Sequence, residues 1–501
     1  MALLLEIPRF IRINDHHQSE MVTVRRCDIE IRPDPGRVVA RPFLPGETAF
    51  AGGPTRVELI GNRVLALDDI EAEKLLADTR ASFETRHSDL SAVWSRNADW
   101  ATEIVPALGV ADGDRRQLLG AYFTQEYAPE AAAVCNPSIV VSPEGNDGQF
   151  IMSLRAIGEG HISSVEFRTG RLDGDGCVTV DEPSPFLNLG ERRSPLYEKT
   201  FFNDKLLALG ADPALVESVM QSLPDRFDYP QLDSALTILD RGEFSAAGVF
   251  ETRKLTHWLA ASNYELRYDE EVPISERILL PSSPAESRGI EDARFVRFVN
   301  DDGSVTYSAT YTAYDGFTIL PQLIETKDFL TYRFATLNGT SAYNKGIALF
   351  PRRVDGMYLA LGRYDQENLH LLRSDQVRVW NSAELISSPT HGWEAVQVGA
   401  CGPPLETSEG WLVLVHGVGP MRRYSLGAFL LDLDDPSRLI GRLDSPLLEP
   451  AEDERNGYVP NVVYSCGGVI HGDWLVVPYG FADEGVRVMT VSVTELLREL
   501  T

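Results

Sequence analysis

Two hydrophobic periods divide the chain. Over residues 68–105 the apolar positions Ile70, Leu75, Leu76, Ala81 and Phe83, then Leu90, Val93 and Trp94, fall at helical spacings that put them on one face. Asp68-Asp69 just before Ile70 supplies an N-cap and charge for the positive end of a helix. Together with a short β-like start at Val38 to Phe43, these residues predict an N-terminal extension, residues 1–115. Its helical arm is expected to pack on the main body or on a second subunit. From about residue 120 the pattern becomes strand-like. The exception is a helical stretch holding Leu206, Leu207, Leu209, Val216, Val219, Met220 and Leu223.

The strand-like part repeats. Five times a β run with polar residues is followed by a turn and a second β run ending in a polar residue. The first copy runs from Cys135-Asn136-Pro137 through Asp147-Gly148 to Arg155. The second runs from Glu291-Asp292 through Asp302-Gly303 to Thr312, and the third from Lys345 through Asp355-Gly356 to Arg363. The fourth runs from Gln397 through Glu409-Gly410 to His416, and the fifth from Pro460-Asn461 through Gly472-Asp473 to Tyr479. The later copies start near 291, 345, 401 and 460, in steps of 54, 56 and 59 residues. A period of that size with several strands per unit predicts a β-propeller. Five copies give an all-β, five-bladed propeller over residues 116–501. The 155-residue step from the first copy to the second leaves room for a helical insertion between blades, at about 196–245.

Composition narrows the partners. The 46 basic against 74 acidic residues give a net charge of −28, which repels nucleic acids and anionic membranes. The five cysteines are scattered, with no Cys-x-x-Cys pair, so free thiols, no metal site and a cytoplasmic location are expected. The apolar run Met1-Ala-Leu-Leu-Leu is short for a signal peptide, and nothing approaches the roughly 18 residues of a membrane span. His16-His17 reads as a solvated pair.

Inner strands of a propeller line one axis, so their ends converge. That brings Asn136, Arg155, Asp292, Lys345, Arg363, His416, Tyr479 and Asp483 into one funnel. Asp292 lies in Arg288-Gly289-Ile290-Glu291-Asp292-Ala293-Arg294, a composition that suits either a salt-bridge network or a general acid at the funnel floor. Lys345, Arg363 and His416 form a positive cluster that calls for an anion, and phosphate matches their donors. Inverting glycoside cleavage by water uses two carboxylates, whereas phosphate arrives already anionic. One acid beside an anion pocket is therefore the signature of a phosphorylase.

These motifs resemble glycoside hydrolase family 130, the five-bladed propeller enzymes acting on β-mannosides. The matching elements are Asn136-Pro137-Ser138, Arg288 to Arg294, Ala348-Leu349-Phe350-Pro351 with Arg363, Gly402-Pro403-Pro404, His416-Gly417-Val418, Leu430 to Leu433, and Ala482-Asp483. The arm and insertion are most like the longer β-1,2-oligomannan phosphorylases. The resemblance implies that Asp292 is the catalytic acid, passing its proton through a mannose hydroxyl to the glycosidic oxygen. It implies phosphate binding by Lys345, Arg363 and His416, and mannoside binding by Asn136, Arg155, Tyr424 and Asp483. The implied reaction is inverting and reversible: a β-linked mannooligosaccharide plus inorganic phosphate gives α-mannose 1-phosphate, with no cofactor, in a homo-oligomer. One departure is that the family's commoner Arg-Asn pair is Lys345-Gly346 here. The alternatives are a phosphorylase for β-1,4-mannosides, an inverting hydrolase and a non-catalytic carbohydrate-binding propeller. The hydrolase needs a second carboxylate, such as Glu291, Asp315 or Asp365, about 6.5–9.5 Å from Asp292.

Overall fold

In the computed structural model, residues 22–43, 45–46, 53–143, 148–240 and 244–501 are described. The N-terminal apolar run, His16-His17 and Asp147 lie outside them. The repeats fold as five antiparallel meanders. The first comprises Ala133–Val141, Gln149–Ile157 and Ser163–Leu172, with Val178–Val180 at its edge. The second comprises Gly289–Val299, Val305–Tyr314, Ile319–Thr326 and Thr331–Thr336, and the third Ala348–Leu349, Tyr358–Gly362, Leu369–Ser374 and Ser382–Ser387. The fourth comprises Gln397–Ala400, Trp411–Val418, Tyr424–Leu431 and Leu439–Arg442. The fifth comprises Val463–Tyr464, Trp474–Phe481 and Gly485–Ser492, and its outer strand is Arg25–Ile31 from the N-terminal extension.

The apolar cores lie between successive sheets. Phe167 packs edge-on against Phe295, Phe298 and Leu349 share one core, and Leu361 and Val413 share another. Leu414 and Leu475 share a core, as do Met152 and Leu154 with Val476 and Val488, so the fifth sheet also packs on the first. Four of the five repeats carry a fully buried glutamate six residues before a residue on or just ahead of the inner strand: Glu130, Glu286, Glu394 and Glu454, ahead of Asn136, Asp292, Ala400 and Pro460. Each is paired, because a buried lone carboxylate is costly. Glu130 meets Arg37 and Arg168, Glu286 accepts from Tyr264 and Tyr311, Glu394 meets Arg442, and Glu454 accepts from Tyr479 and Arg487.

Arg37 ties the N-terminal extension into the body. It is buried, bonds Glu130 and Glu166 together, and donates to the carbonyls of Ser184 and Ser275. Removing one member of such a group strands the others. Arg37→Met is therefore expected to destabilise the protein by roughly 3–5 kcal/mol in urea unfolding; a loss below about 1 kcal/mol would show that the cluster contributes little.

The arm consists of Arg56–Leu65, Asp69–Phe83, Leu90–Ile104 and Gly113–Tyr122, the last running across the expected boundary near residue 115. Asp68 caps the second helix as expected, in a reciprocal box with Glu71. The buried face differs from expectation. Ala72 and Leu76 point inward, while Ile70 is 78% exposed and Phe83 39% exposed. Ile70 stands two residues from Ala72 and so falls on the far side. The insertion contains Lys199–Ala208, Pro213–Gln221, Tyr229–Leu236 and Ala246–Ala261 around its own core of Phe202, Leu206, Val216, Leu232 and Leu259. It continues past 245 because the last helix buries Thr252 and Thr256, a polar inner face that weakens the periodic signal. Among the described residues no helix is long and apolar enough to cross a membrane.

Candidate functional site

Two inner strands carry the same irregularity. The pairing of Ala133–Val141 with its neighbour shifts between Cys135 and Ser138, and that of Gly289–Val299 between Glu291 and Arg294. The bulges place Asn136 at φ 47° and Asp292 at φ 55°, a left-handed conformation that Asn and Asp tolerate better than other non-glycine residues. Their side chains meet, Asn136 Nδ2 donating to Asp292 Oδ1 at 2.6 Å. Arg155, at the end of the next strand, donates to the same oxygen at 3.2 Å and to Glu291 Oε1 at 2.7 Å. Asp483 also has positive φ, at 49°, in the turn after Trp474–Phe481. Gly480 lets that strand lie close to the Asn136 backbone: an added Cβ there would lie 3.0 Å from the Asn136 nitrogen.

Arg294 ties three repeats together. Buried, it donates Nη1 to the Asp292 carbonyl at 2.8 Å, Nε to the Cys401 carbonyl at 2.9 Å and Nη2 to Tyr464 Oη at 2.9 Å. Burial alone would raise the Asp292 pKa; Arg155, Arg294 and Lys345, with the Asn136 hydrogen bond, more than reverse this and hold it at about 2. In the free protein Asp292 is thus an ionised acceptor, and it must gain a proton before it can act as an acid.

Lys345 and Arg363 come from the third repeat, 18 residues apart. Lys345 Nζ donates to Glu291 Oε2 at 2.5 Å. Gly346 has φ 90°, a left-handed conformation that glycine adopts without strain. Arg363 uses Nη1 on the Gln366 carbonyl at 3.1 Å, and its buried Nε has no partner among the described residues. His416 is 2% exposed, its ring centroid 6.2 Å from that of Tyr424 and 4.9 Å from that of Tyr464; its Nδ1 also lacks a partner. Burial, then Arg363 and Arg294, hold the His416 pKa well below the usual range. His416 is therefore a neutral imidazole, and the expected cluster of three cations is two cations and a neutral donor or acceptor.

Gly399 makes room for this pair. A Cβ built there would lie 2.8 Å from His416 Cε1 and 3.3 Å from Arg363 Cδ. Gly399→Ala is expected to crowd the buried His416 ring and to lower the unfolding temperature by roughly 2 °C or more; an unchanged unfolding temperature would show that the pair gives way freely.

Burial pushes the Asp483 pKa up to about 6, with Arg155 opposing, Asp292 reinforcing and Arg422 opposing. A carboxyl raised from 3.8 to about 6 on folding costs stability as pH rises through that window. Asp483→Asn is expected to gain thermal stability over the parent between pH 4 and 6 and to hold that gain above; an advantage independent of pH would show that the carboxylate is not the cause.

Of the expected site residues, Asn136 and Arg155 bond Asp292 directly and Lys345 reaches it through Glu291, while His416 and Tyr424 join it through Tyr464 and Arg294; Tyr479 does not belong to the set. Tyr479 is buried and donates to Glu454 at 2.7 Å. Tyr464, which the sequence reading missed, takes the aromatic place beside His416. The three carboxylates considered as a second catalytic base are otherwise engaged. Glu291 holds a cation on each oxygen, and Asp315 and Asp365 accept from backbone N–H groups of their own turns.

Comparison with known proteins gives the class first: glycoside-processing enzymes. The family profile Glyco_hydro_130, described as β-1,4-mannooligosaccharide phosphorylase, matches residues 263–501. A 1,2-β-oligomannan phosphorylase from Thermoanaerobacter sp. (strain X514) is 33% identical over 230 residues, covering 44% of this chain and 75% of that protein. A β-1,2-mannobiose phosphorylase from the same organism is 32% identical over 284 residues, covering 50% and 89%. A β-1,2-mannobiose phosphorylase from Listeria innocua is 33% identical over 232 residues, covering 44% of this chain and 63% of its own length. The solved structure of a Listeria innocua β-1,2-mannobiose phosphorylase with β-1,2-mannobiose aligns at 21% identity, over 74% of this chain and 92% of that chain, with a TM-score of 0.44. The chain belongs to glycoside hydrolase family 130.

Proposed function

We propose that the chain is an inverting phosphorylase of β-mannosides. It cleaves β-1,2-mannooligosaccharides with inorganic phosphate to release α-mannose 1-phosphate, on a five-bladed β-propeller that carries the helical arm and insertion. The observation that carries this reading is the buried Asp292 carboxylate, joined through Arg294 and Tyr464 to a pocket where, among the described residues, Arg363 Nε and His416 Nδ1 have no partner. Unpartnered buried polar atoms call for an explanation, and a bound anion would supply one for these two. Five successive meanders, each packed on the next and the fifth on the first, support the propeller.

Asn136, Arg155, Asp483 and Tyr424 hold the non-reducing mannose, and Lys345, Arg363 and His416 hold phosphate for attack on the opposite face. As a dianion enters and the sugar excludes water, the cations around Asp292 are partly neutralised and its pKa rises. It then delivers a proton through a mannose hydroxyl to the leaving oxygen. The β-1,2 preference is supported by the names of the three relatives at 32–33% identity, against 29% for a β-1,4-mannooligosaccharide phosphorylase from Ruminococcus albus. A homo-oligomeric, cytoplasmic enzyme without a cofactor completes the proposal. The test is kcat/KM for release of mannose 1-phosphate from β-1,2- and β-1,4-mannotriose. At least a ten-fold preference for β-1,2 is expected; the reverse order would overturn the linkage.

A further inference from the structure

Glu291 is buried between two cations. Its Oε1 accepts from Arg155 at 2.7 Å and its Oε2 from Lys345 at 2.5 Å. Arg363 and His416 differ, since among the described residues Arg363 Nε and His416 Nδ1 have no partner. An entering anion therefore meets two unsatisfied groups and one cation whose charge is already matched. We propose, on the phosphorylase reading above, that Glu291 is a built-in competitor for phosphate: its carboxylate occupies Lys345 in the free protein and yields that lysine when phosphate is captured.

The two partners differ in how firmly they are held. Glu291 is fixed in the bulged strand Gly289–Val299 and keeps Arg155 after the exchange, so it is never left as an unpaired buried charge. Lys345 sits on the connection between Thr331–Thr336 and Ala348–Leu349, with its side chain 35% exposed and Gly346 beside it, so its ammonium can swing. A point charge with rotating donors exchanges one anion for another readily. A guanidinium would fork both donors onto the carboxylate and hold it. The competitor thus accounts for a lysine at this position. It keeps the lysine's charge matched while the site is empty, at a cost in phosphate affinity. Glu291 in this role is a positioning residue that acts through Lys345.

The test is calorimetric titration of the full-length protein with inorganic phosphate. Glu291→Gln removes the competing charge and is expected to tighten phosphate binding about ten-fold. Glu291→Asp keeps the charge but shortens its reach, and is expected to tighten binding about three-fold. On a Lys345→Met background Glu291→Gln is expected to change nothing, because the contested cation is gone. A merely structural glutamate would weaken binding when altered. Wild-type binding without tightening in either variant would overturn the competitor and leave the phosphorylase reading intact. No phosphate binding by the wild-type protein would overturn both.

Discussion

Asp292→Asn is expected to lower kcat for phosphorolysis by about 1,000-fold or more, within the range that a positioned general acid supplies, while the affinity for mannooligosaccharide changes less than ten-fold. The substitution keeps shape and volume. It also keeps the backbone, because asparagine accepts the positive φ of 55° found there. Arg155 retains Glu291 as a counter-ion, and Arg294 holds the backbone carbonyl of residue 292, not its side chain, so the site stays assembled. What is lost is the proton. Single-turnover rates with equilibrium binding of a mannooligosaccharide separate the two effects. A parallel loss of binding would make Asp292 a structural member of the ion network, the other reading that its sequence context allowed.

Arg363→Ala is expected to raise the KM for phosphate about 100-fold and to leave the KM for the mannoside within about three-fold. Arg363 has no carboxylate partner in the described structure; it donates to the Gln366 carbonyl and keeps a buried Nε unsatisfied. A charge-assisted bond to phosphate is worth roughly 1.5–3 kcal/mol, and about 2.7 kcal/mol corresponds to 100-fold. Initial rates over a grid of both substrates give the two constants. Equal increases would mean that Arg363 supports the pocket wall instead of binding the anion.

The residues that were legible in the sequence are those whose chemistry repeats at the ends of inner strands. Asn136, Arg155 and Asp292 are joined by hydrogen bonds, and Lys345 reaches them through Glu291. Residues whose role depends on a partner from another repeat were not legible. Tyr479 and Tyr464 are both tyrosines of the fifth repeat, and only three-dimensional packing assigns the first to Glu454 and the second to His416. The buried glutamates escaped notice because Ala-Pro-Glu130, Pro-Ala-Glu286, Gly-Trp-Glu394 and Glu-Asp-Glu454 share little beyond the acid, and each meets a different partner. Arg25–Ile31 does alternate, with Cys27, Ile29 and Ile31 on its more buried side. Its pairing partner lies more than 450 residues away, beyond the reach of any local pattern. His416 counted as a cation by residue type, and only its burial beside Arg363 and Arg294 makes it neutral.

The most direct test is a single NMR experiment on β-1,2-mannotriose, following proton and phosphorus signals with and without inorganic phosphate. A phosphorylase that inverts will give α-mannose 1-phosphate and β-1,2-mannobiose, and only when phosphate is present. Free mannose released at the same rate without phosphate, or a β-configured sugar phosphate, would contradict the assignment of Lys345, Arg363 and His416 to phosphate and of Asp292 to the acid.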